Sequence, residues 1–397
     1  MSERLTKLEV KNYRSLANIE IDPGSLNVLF GPNGAGKSTL LDTIWFLRDC
    51  ATRGVDVAAS DRSHGIGILW DGAGPGDNLS IAIETQKARY EVQFQLSSGR
   101  IDNYVGEKLT SNSRTLVVID RPIGSDTASF YSHKLEEMVQ VPLRDPDRLS
   151  LVRYMDFDPD NWEANECDKL LHFISPYRSR EFDFYKIKQL GSAMGREIRV
   201  FERGQNLWSV IRNIHDKVSI DDRYQTVMEF MREAFPTFDG IVIDQSGPNS
   251  VYGEFRIDPH RELIKASGVS DGYLHMLILL TALFSEGTER GSLILFDEPD
   301  MSLHPHALTV LAKAMKVAAR DWQKQILVAT HSPVLMSQFE SGDIWAAELD
   351  KEGRTTLKRV TEIANIQDLL EDYAVGSLYM AEAVAPQSGT SIASATG

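Results

Sequence analysis

Leu26-Asn27-Val28-Leu29-Phe30-Gly31-Pro32-Asn33-Gly34-Ala35-Gly36-Lys37-Ser38-Thr39 decides how the rest of the chain is read. Its first five residues form a mainly apolar run suited to a buried strand, and Leu40, Leu41, Ile44 and Leu47 follow at helical spacing. Between them stands Gly31-x-x-x-x-Gly36-Lys37-Ser38, a P-loop in its required strand-loop-helix context. The chemistry of such a loop is anion binding. Backbone N–H groups from Asn33 to Thr39 and the helix N-terminus surround phosphates, Lys37 reaches the β and γ oxygens, and the Ser38 hydroxyl ligates Mg²⁺.

Far downstream, Leu293-Ile294-Leu295-Phe296-Asp297-Glu298 is an apolar strand that ends in two carboxylates. Alone it reads equally well as a buried strand ending in an acidic turn. Beside a P-loop, Asp297 is expected to hold Mg²⁺ and Glu298 to polarise an attacking water, so that Glu298 and Lys37 become candidate catalytic residues. The distance from Lys37 to Asp297 exceeds a compact mononucleotide core and requires a large insertion. Two further segments bracket Asp297: Ser267-Gly268-Val269-Ser270-Asp271-Gly272 before a helical pattern, and Ala329-Thr330-His331-Ser332-Pro333 after an apolar strand. A glycine-serine helix start is an anion site or a simple cap.

Composition bounds the class. Apolar residues are 42% and charged residues 25% of 397, ordinary for a chain with a sizeable core, so disorder as the main state is excluded. The net charge of −15 disfavours a surface devoted wholly to nucleic acid or anionic lipid. Two cysteines, Cys50 and Cys167, make neither a disulfide framework nor a thiolate zinc site. With no secretory signal at the start and no apolar run long enough to span a bilayer, a cytoplasmic location without a membrane partner is expected.

The strand-helix alternation predicts an α/β fold. Alternating segments at 79–84, 90–96 and 115–119 predict an antiparallel β-lobe, so that residues 1–124 hold the P-loop and this lobe. Helical spacing predicts a mainly helical insertion over 125–236, with no heptad run long enough for a coiled coil. Residues 237–375 return to strand-helix alternation, and 376–397 read as a flexible tail. Within the insertion, Arg178, Arg180, Lys186, Lys188, Arg196, Arg199 and Arg203 with interleaved Phe182, Phe184 and Tyr185 read as a solvated helix face, with a nucleic-acid or partner patch as the rarer alternative.

Order and spacing together resemble the head of the ABC-type ATPases, and within them the RecF, SMC/Rad50 and OLD (overcoming lysogenisation defect) group. The pieces are Leu8 to Leu16 (Leu-Glu-Val-Lys-Asn-Tyr-Arg-Ser-Leu), Asn206-Leu207, Ser270-Asp271-Gly272, Asp297-Glu298-Pro299 with Ser302-Leu303-His304-Pro305, and Thr330-His331-Ser332-Pro333. The resemblance implies ATP and Mg²⁺ as cofactors and a composite site. Lys37, Ser38, Asp297, Glu298 and the γ-phosphate sensor His331 would come from one subunit, and Ser270 and Gly272 would close on the nucleotide from another. Ser302 and His304 would lie where subunits meet, and Arg14 would couple to the nucleotide. Tyr273 and His275 depart from the threonine and arginine common in the group, and Gln86, Gln93 and Gln95 are all candidates for its glutamine loop.

Only 66 residues follow His331, small for the Toprim nuclease that OLD-type proteins often carry there, so a stand-alone ATPase is expected. Its partners would be a second copy of itself and a separately encoded effector, in bacterial anti-phage defence, with nucleic acid left open. The alternative is a RecF-like DNA-binding repair ATPase.

Overall fold

A computed structural model of the chain describes residues 4–74, 76–114, 116–259, 262–286, 292–363, 375–381 and 384–385. Its centre is a six-stranded sheet in the order Ile174–Arg178, Leu293–Asp297, Gln325–Ala329, Leu26–Phe30, Ile344–Leu349 and Thr355–Arg359. The first five strands are parallel, and the sixth pairs antiparallel with the fifth. Three of these strands, Leu26–Phe30, Leu293–Asp297 and Gln325–Ala329, are buried at every position. That is why they read as continuous apolar runs: a parallel sheet is covered on both faces.

The pleat divides those runs between two cores. Val28, Phe30, Ile294, Phe296, Ile326 and Val328 face one side, where the helices Leu207–His215, Arg223–Ala234, Asp271–Phe284 and Pro305–Asp321 pack. Leu29, Leu293, Leu295 and Leu327 face the other, against the helix Lys37–Arg53 and the β-lobe. Helix Asp271–Phe284 is buried at every residue from Leu274 onward, so it shows no polar face.

The β-lobe is an eight-stranded antiparallel sheet that starts with the N-terminal hairpin (Lys7–Tyr13, Leu16–Ile21) and ends with the hairpin Thr127–Ser132 and Glu137–Pro142. The lobe therefore runs past 124 to Pro142. Strand Ile174–Arg178, also inside the expected helical insertion, belongs to the central sheet. The expected helix face over 178–203 is replaced by a strand end, a short turn at Ser179–Glu181, one helical turn at Lys186–Leu190 and a two-residue strand at Ser192–Ala193. In the expected tail, Val375–Met380 is a helix with Leu378 buried, and residues 386–397 lie outside the described residues. No helix among the described residues is long and apolar enough to cross a membrane.

Candidate active site

Four parallel strands end at one level: Arg178 pairs with Asp297, Asp297 with Ala329, and Ala329 with Leu29 just before the P-loop. The carboxyl ends of parallel strands are where such sheets bind ligands. The loop itself depends on glycine. Gly31 has φ 148°, and a Cβ there would stand 2.1 Å from the Ala347 carbonyl oxygen. Gly36 has φ 93°, and its Cβ would stand 2.2 Å from Thr355 Oγ1. Thr355 donates to Ser15 Oγ at 2.8 Å, so the chain next to Arg14 braces the loop from behind.

Helix Lys37–Arg53 begins at Gly36 with no side-chain cap, which leaves its first N–H groups for a phosphate. Lys37 Nζ donates to the carbonyls of Gly31 and Pro32, both at 2.8 Å. Burial lowers its pKa to about 8, against the raising effect of Asp297 and Glu298. Phosphate charge restores the protonated form, so ATP binding at pH 8 should take up about half a proton. Calorimetry in buffers of different ionisation enthalpy measures this, and uptake that persists in Lys37→Met would assign the proton to another group.

Ser38 Oγ donates to Asp297 Oδ1 at 2.7 Å. A hydroxyl and a carboxylate at hydrogen-bond distance, with phosphate oxygens to follow, fit Mg²⁺, which takes one or two carboxylates and few other protein ligands. Among the described residues no group of three or more His, Cys, Asp or Glu able to hold a metal occurs. Burial raises the pKa of Asp297, while the Ser38 bond and Arg178 oppose the shift.

Glu298 follows with φ 57°, a left-handed conformation rare outside glycine, fixed by its N–H donating to the Ala329 carbonyl at 2.8 Å. The turn swings its carboxylate to 4.0 Å from His331 Nε2. A water or phosphate oxygen can reach both groups across that gap. Burial and then the Lys37 charge lower the His331 pKa, against the raising effect of Glu298, Asp300 and Asp297. Thr330 Oγ1 donates to Asp300 Oδ1 at 2.5 Å and accepts from Ser332 N–H at 3.0 Å, which ties the loop after Asp297 to the loop of His331.

Arg14 sits at φ 49° in the turn of the N-terminal hairpin, with Nη1 3.3 Å from Asp42 Oδ2. It lines, with Ser38, Thr39, Asp42 and Arg178, a cleft of about 750 Å³ beside the P-loop helix. Asn33 and Gly34 form the loop's exposed crest and Ala35 is buried beneath it.

Ser270 and Gly272 lie at the start of helix Asp271–Phe284, outside the P-loop cluster. Ser270 is exposed, and its hydroxyl accepts no bond from the helix it caps. Gly272 abuts the Ser302 carbonyl, where a Cβ would come within 2.7 Å. Ser302 (φ 60°) and His304 are exposed beside them, so one surface carries both segments. Tyr273 and His275 point inward. Tyr273 stacks on Phe235 with ring centroids 4.1 Å apart, and buried His275 pairs its Nε2 with Ser179 Oγ at 3.0 Å against Phe182. Their departures from the group pattern are thus matched by packing partners.

The glutamine candidates meet a different fate. Gln93 lies on the β-lobe strand Ala88–Phe94, Gln86 and Gln95 flank that strand, and none ends a central strand. The central-strand end beside Asp297 belongs to Arg178, which sequence reasoning had placed on a helix face. Its signal was the buried alternation Ile174-Ser175-Pro176-Tyr177 ahead of it, obscured by a proline.

A P-loop, an Asp bonded to the P-loop serine, an adjoining Glu and a histidine loop on one parallel sheet, with an antiparallel lobe packed on it, define an ABC-type P-loop ATPase head of the RecF, SMC and OLD group. Residues 26–337 match the family described as "AAA domain, putative AbiEii toxin, Type IV TA system", and the chain belongs to that family. It is 21% identical over 390 residues to the Old nuclease of Escherichia phage P2, covering 93% of this chain and 63% of that one. The chain thus spans under two thirds of that relative's length. A RecF DNA replication and repair protein of Bacteroides thetaiotaomicron is 36% identical over 61 residues, 15% of this chain and 16% of its own. An SMC head solved with the C-terminal winged-helix domain of ScpA superposes with a TM-score of 0.52 at 15% identity, over 89% of this chain and 97% of that one, which shows a shared fold.

Proposed function

We propose that this chain is a Mg²⁺-dependent ATP hydrolase whose ATP-driven pairing with a second copy controls a separately encoded effector in bacterial anti-phage defence. The observation that carries the ATPase part is the convergence of Lys37, Ser38, Asp297, Glu298 and His331 at the ends of adjacent parallel strands. Lys37 and Mg²⁺ on Ser38 and Asp297 would neutralise the phosphates, Glu298 would orient and accept a proton from water, and His331 would donate to a γ-phosphate oxygen. Pairing is supported by the exposed Ser270 start, whose hydroxyl takes no bond from the helix it caps, and by its exposed neighbours Ser302 and His304.

The likeness to the Old nuclease, which covers 93% of this chain and 63% of that protein, is compatible with the defence reading, and control of an effector carries that reading further. Sedimentation with and without ATP and Mg²⁺ tests pairing: the expected result is a doubling of mass with MgATP that ADP does not give. An unchanged mass would remove the composite site. Salt-dependent duplex binding by the purified chain would instead favour the RecF-like reading.

A further inference from the structure

Ser38, Asp42, Trp45 and Asp49 of helix Lys37–Arg53 stand at the spacing that puts side chains on one face. Opposite it stands Arg178, at the end of its strand and level with Asp297. Its Nη2 donates to Asp42 Oδ1 at 2.8 Å, and its guanidinium covers the Trp45 indole at 4.3 Å. Its Nε lies 3.8 Å from Asp297 Oδ2. The two Asp297 oxygens are therefore divided, Oδ1 to Ser38 and Oδ2 toward Arg178. Asp42 is held from its other sides by Tyr13 Oη at 2.6 Å, Arg62 at 3.1 Å and Arg14 at 3.3 Å. The next residue, Ser179, is bonded to His275 of the helix that begins at Ser270.

We propose that Arg178 is a positioning residue for the metal site: it holds Asp297 with Oδ1 turned to Ser38, and its charge sets the concentration at which a divalent cation occupies that pair. The inference rests on the reading of Asp297 as a metal ligand. The geometry supplies both parts. A guanidinium clamped between an indole and a carboxylate has little freedom to leave, so it fixes the rotation of the carboxylate beside it. A positive charge 3.8 Å from a ligand oxygen also repels an arriving cation. The site thus trades metal affinity for a fixed ligand orientation, and a glutamine or methionine in place of Arg178 reverses that trade.

The experiment measures Mn²⁺ binding to the full chain with ADP, by electron paramagnetic resonance, in wild type and in Arg178→Gln, Arg178→Lys, Arg203→Gln and Asp297→Asn. Arg178→Gln is expected to bind Mn²⁺ about tenfold more tightly, since the opposing charge is gone. Arg178→Lys, which keeps the charge, and Arg203→Gln, which removes an exposed cation from the same cleft, should stay within about twofold of wild type. ATP turnover at saturating Mg²⁺ should nevertheless fall about tenfold in Arg178→Gln, because Asp297 is no longer oriented. Tighter metal with slower turnover is not the signature of a merely damaged fold. Should Arg178→Gln not fold, Arg178→Met, whose stem still packs on Trp45, decides in its place by the same measurement. Unchanged Mn²⁺ affinity in the folded neutral variant overturns the inference. If Asp297→Asn loses Mn²⁺ binding while Arg178→Gln leaves it unchanged, only the role of Arg178 falls; if Asp297→Asn binds as wild type does, the metal-ligand reading and the inference fall together.

Discussion

Glu298→Gln is expected to reduce single-turnover ATP hydrolysis by ~10²–10⁴-fold while ATP affinity stays within about twofold of wild type. Gln keeps the volume and the hydrogen-bonding reach of Glu, and its backbone can hold the same left-handed turn against the Ala329 carbonyl. It removes only the anionic oxygen, 4.0 Å from His331, that on the proposed reading would accept a proton from water. Binding by calorimetry and hydrolysis by quenched flow separate the two effects. If ATP-driven pairing is released by hydrolysis, as proposed, the paired, ATP-loaded state should then accumulate. Turnover at the wild-type rate would place the base on another group.

The second large effect is a rescue. Lys37→Ala removes the cation that the loop carries to the phosphates, which costs at least about tenfold in ATP affinity. Ser270→Arg leaves the P-loop whole and fills the exposed start of helix Asp271–Phe284 with a long charged side chain. Each protein alone should be inactive. Mixed in equal amounts with free subunit exchange, about half of two-fold dimers are heterodimers, each with one intact site built from the Ser270→Arg P-loop and the Lys37→Ala helix start. Roughly a quarter of all sites then become competent, fewer if two sites fire only together. Absence of rescue, where a covalently tethered dimer carrying Lys37→Ala in one protomer alone keeps activity from its intact site, would refute closure in trans.

Much of the scaffold was legible because burial and function write the same local pattern. Strands 293–297 and 325–329 are sandwiched between two cores and so carry unbroken apolar runs, and Pro305 marks the first turn of its helix. Two elements escaped. The hairpin Thr127–Ser132 and Glu137–Pro142 is the sheet edge, with Glu137, Met138, Gln140 and Pro142 exposed, and gives only a faint period of two. Strand Ile174–Arg178 contains Pro176, which ordinarily argues against a central-sheet strand. It is accommodated here because this strand is the edge of its sheet, where one side needs no ladder partner. Missing that strand meant missing Arg178, and the three glutamine-loop candidates lie in or beside the β-lobe.

The chain's local chemistry alone specified the phosphate loop, the paired carboxylates at Asp297 and Glu298, and the histidine after the next strand, because each is a short motif whose strand, turn or helix is set by neighbours within a few residues. Only the folded sheet decided what stands beside them. Strand order placed Arg178 level with Asp297, and Asp42 and Trp45 of the P-loop helix clamped it there. The left-handed turn at Glu298 swung that carboxylate toward His331. Those neighbours are joined across more than a hundred residues of chain, from Asp42 to Arg178 and on to Asp297, by hydrogen bonding between strands and the burial of two cores. Such contacts leave no periodic trace in the sequence, since the free energy that fixes them comes from the packed whole.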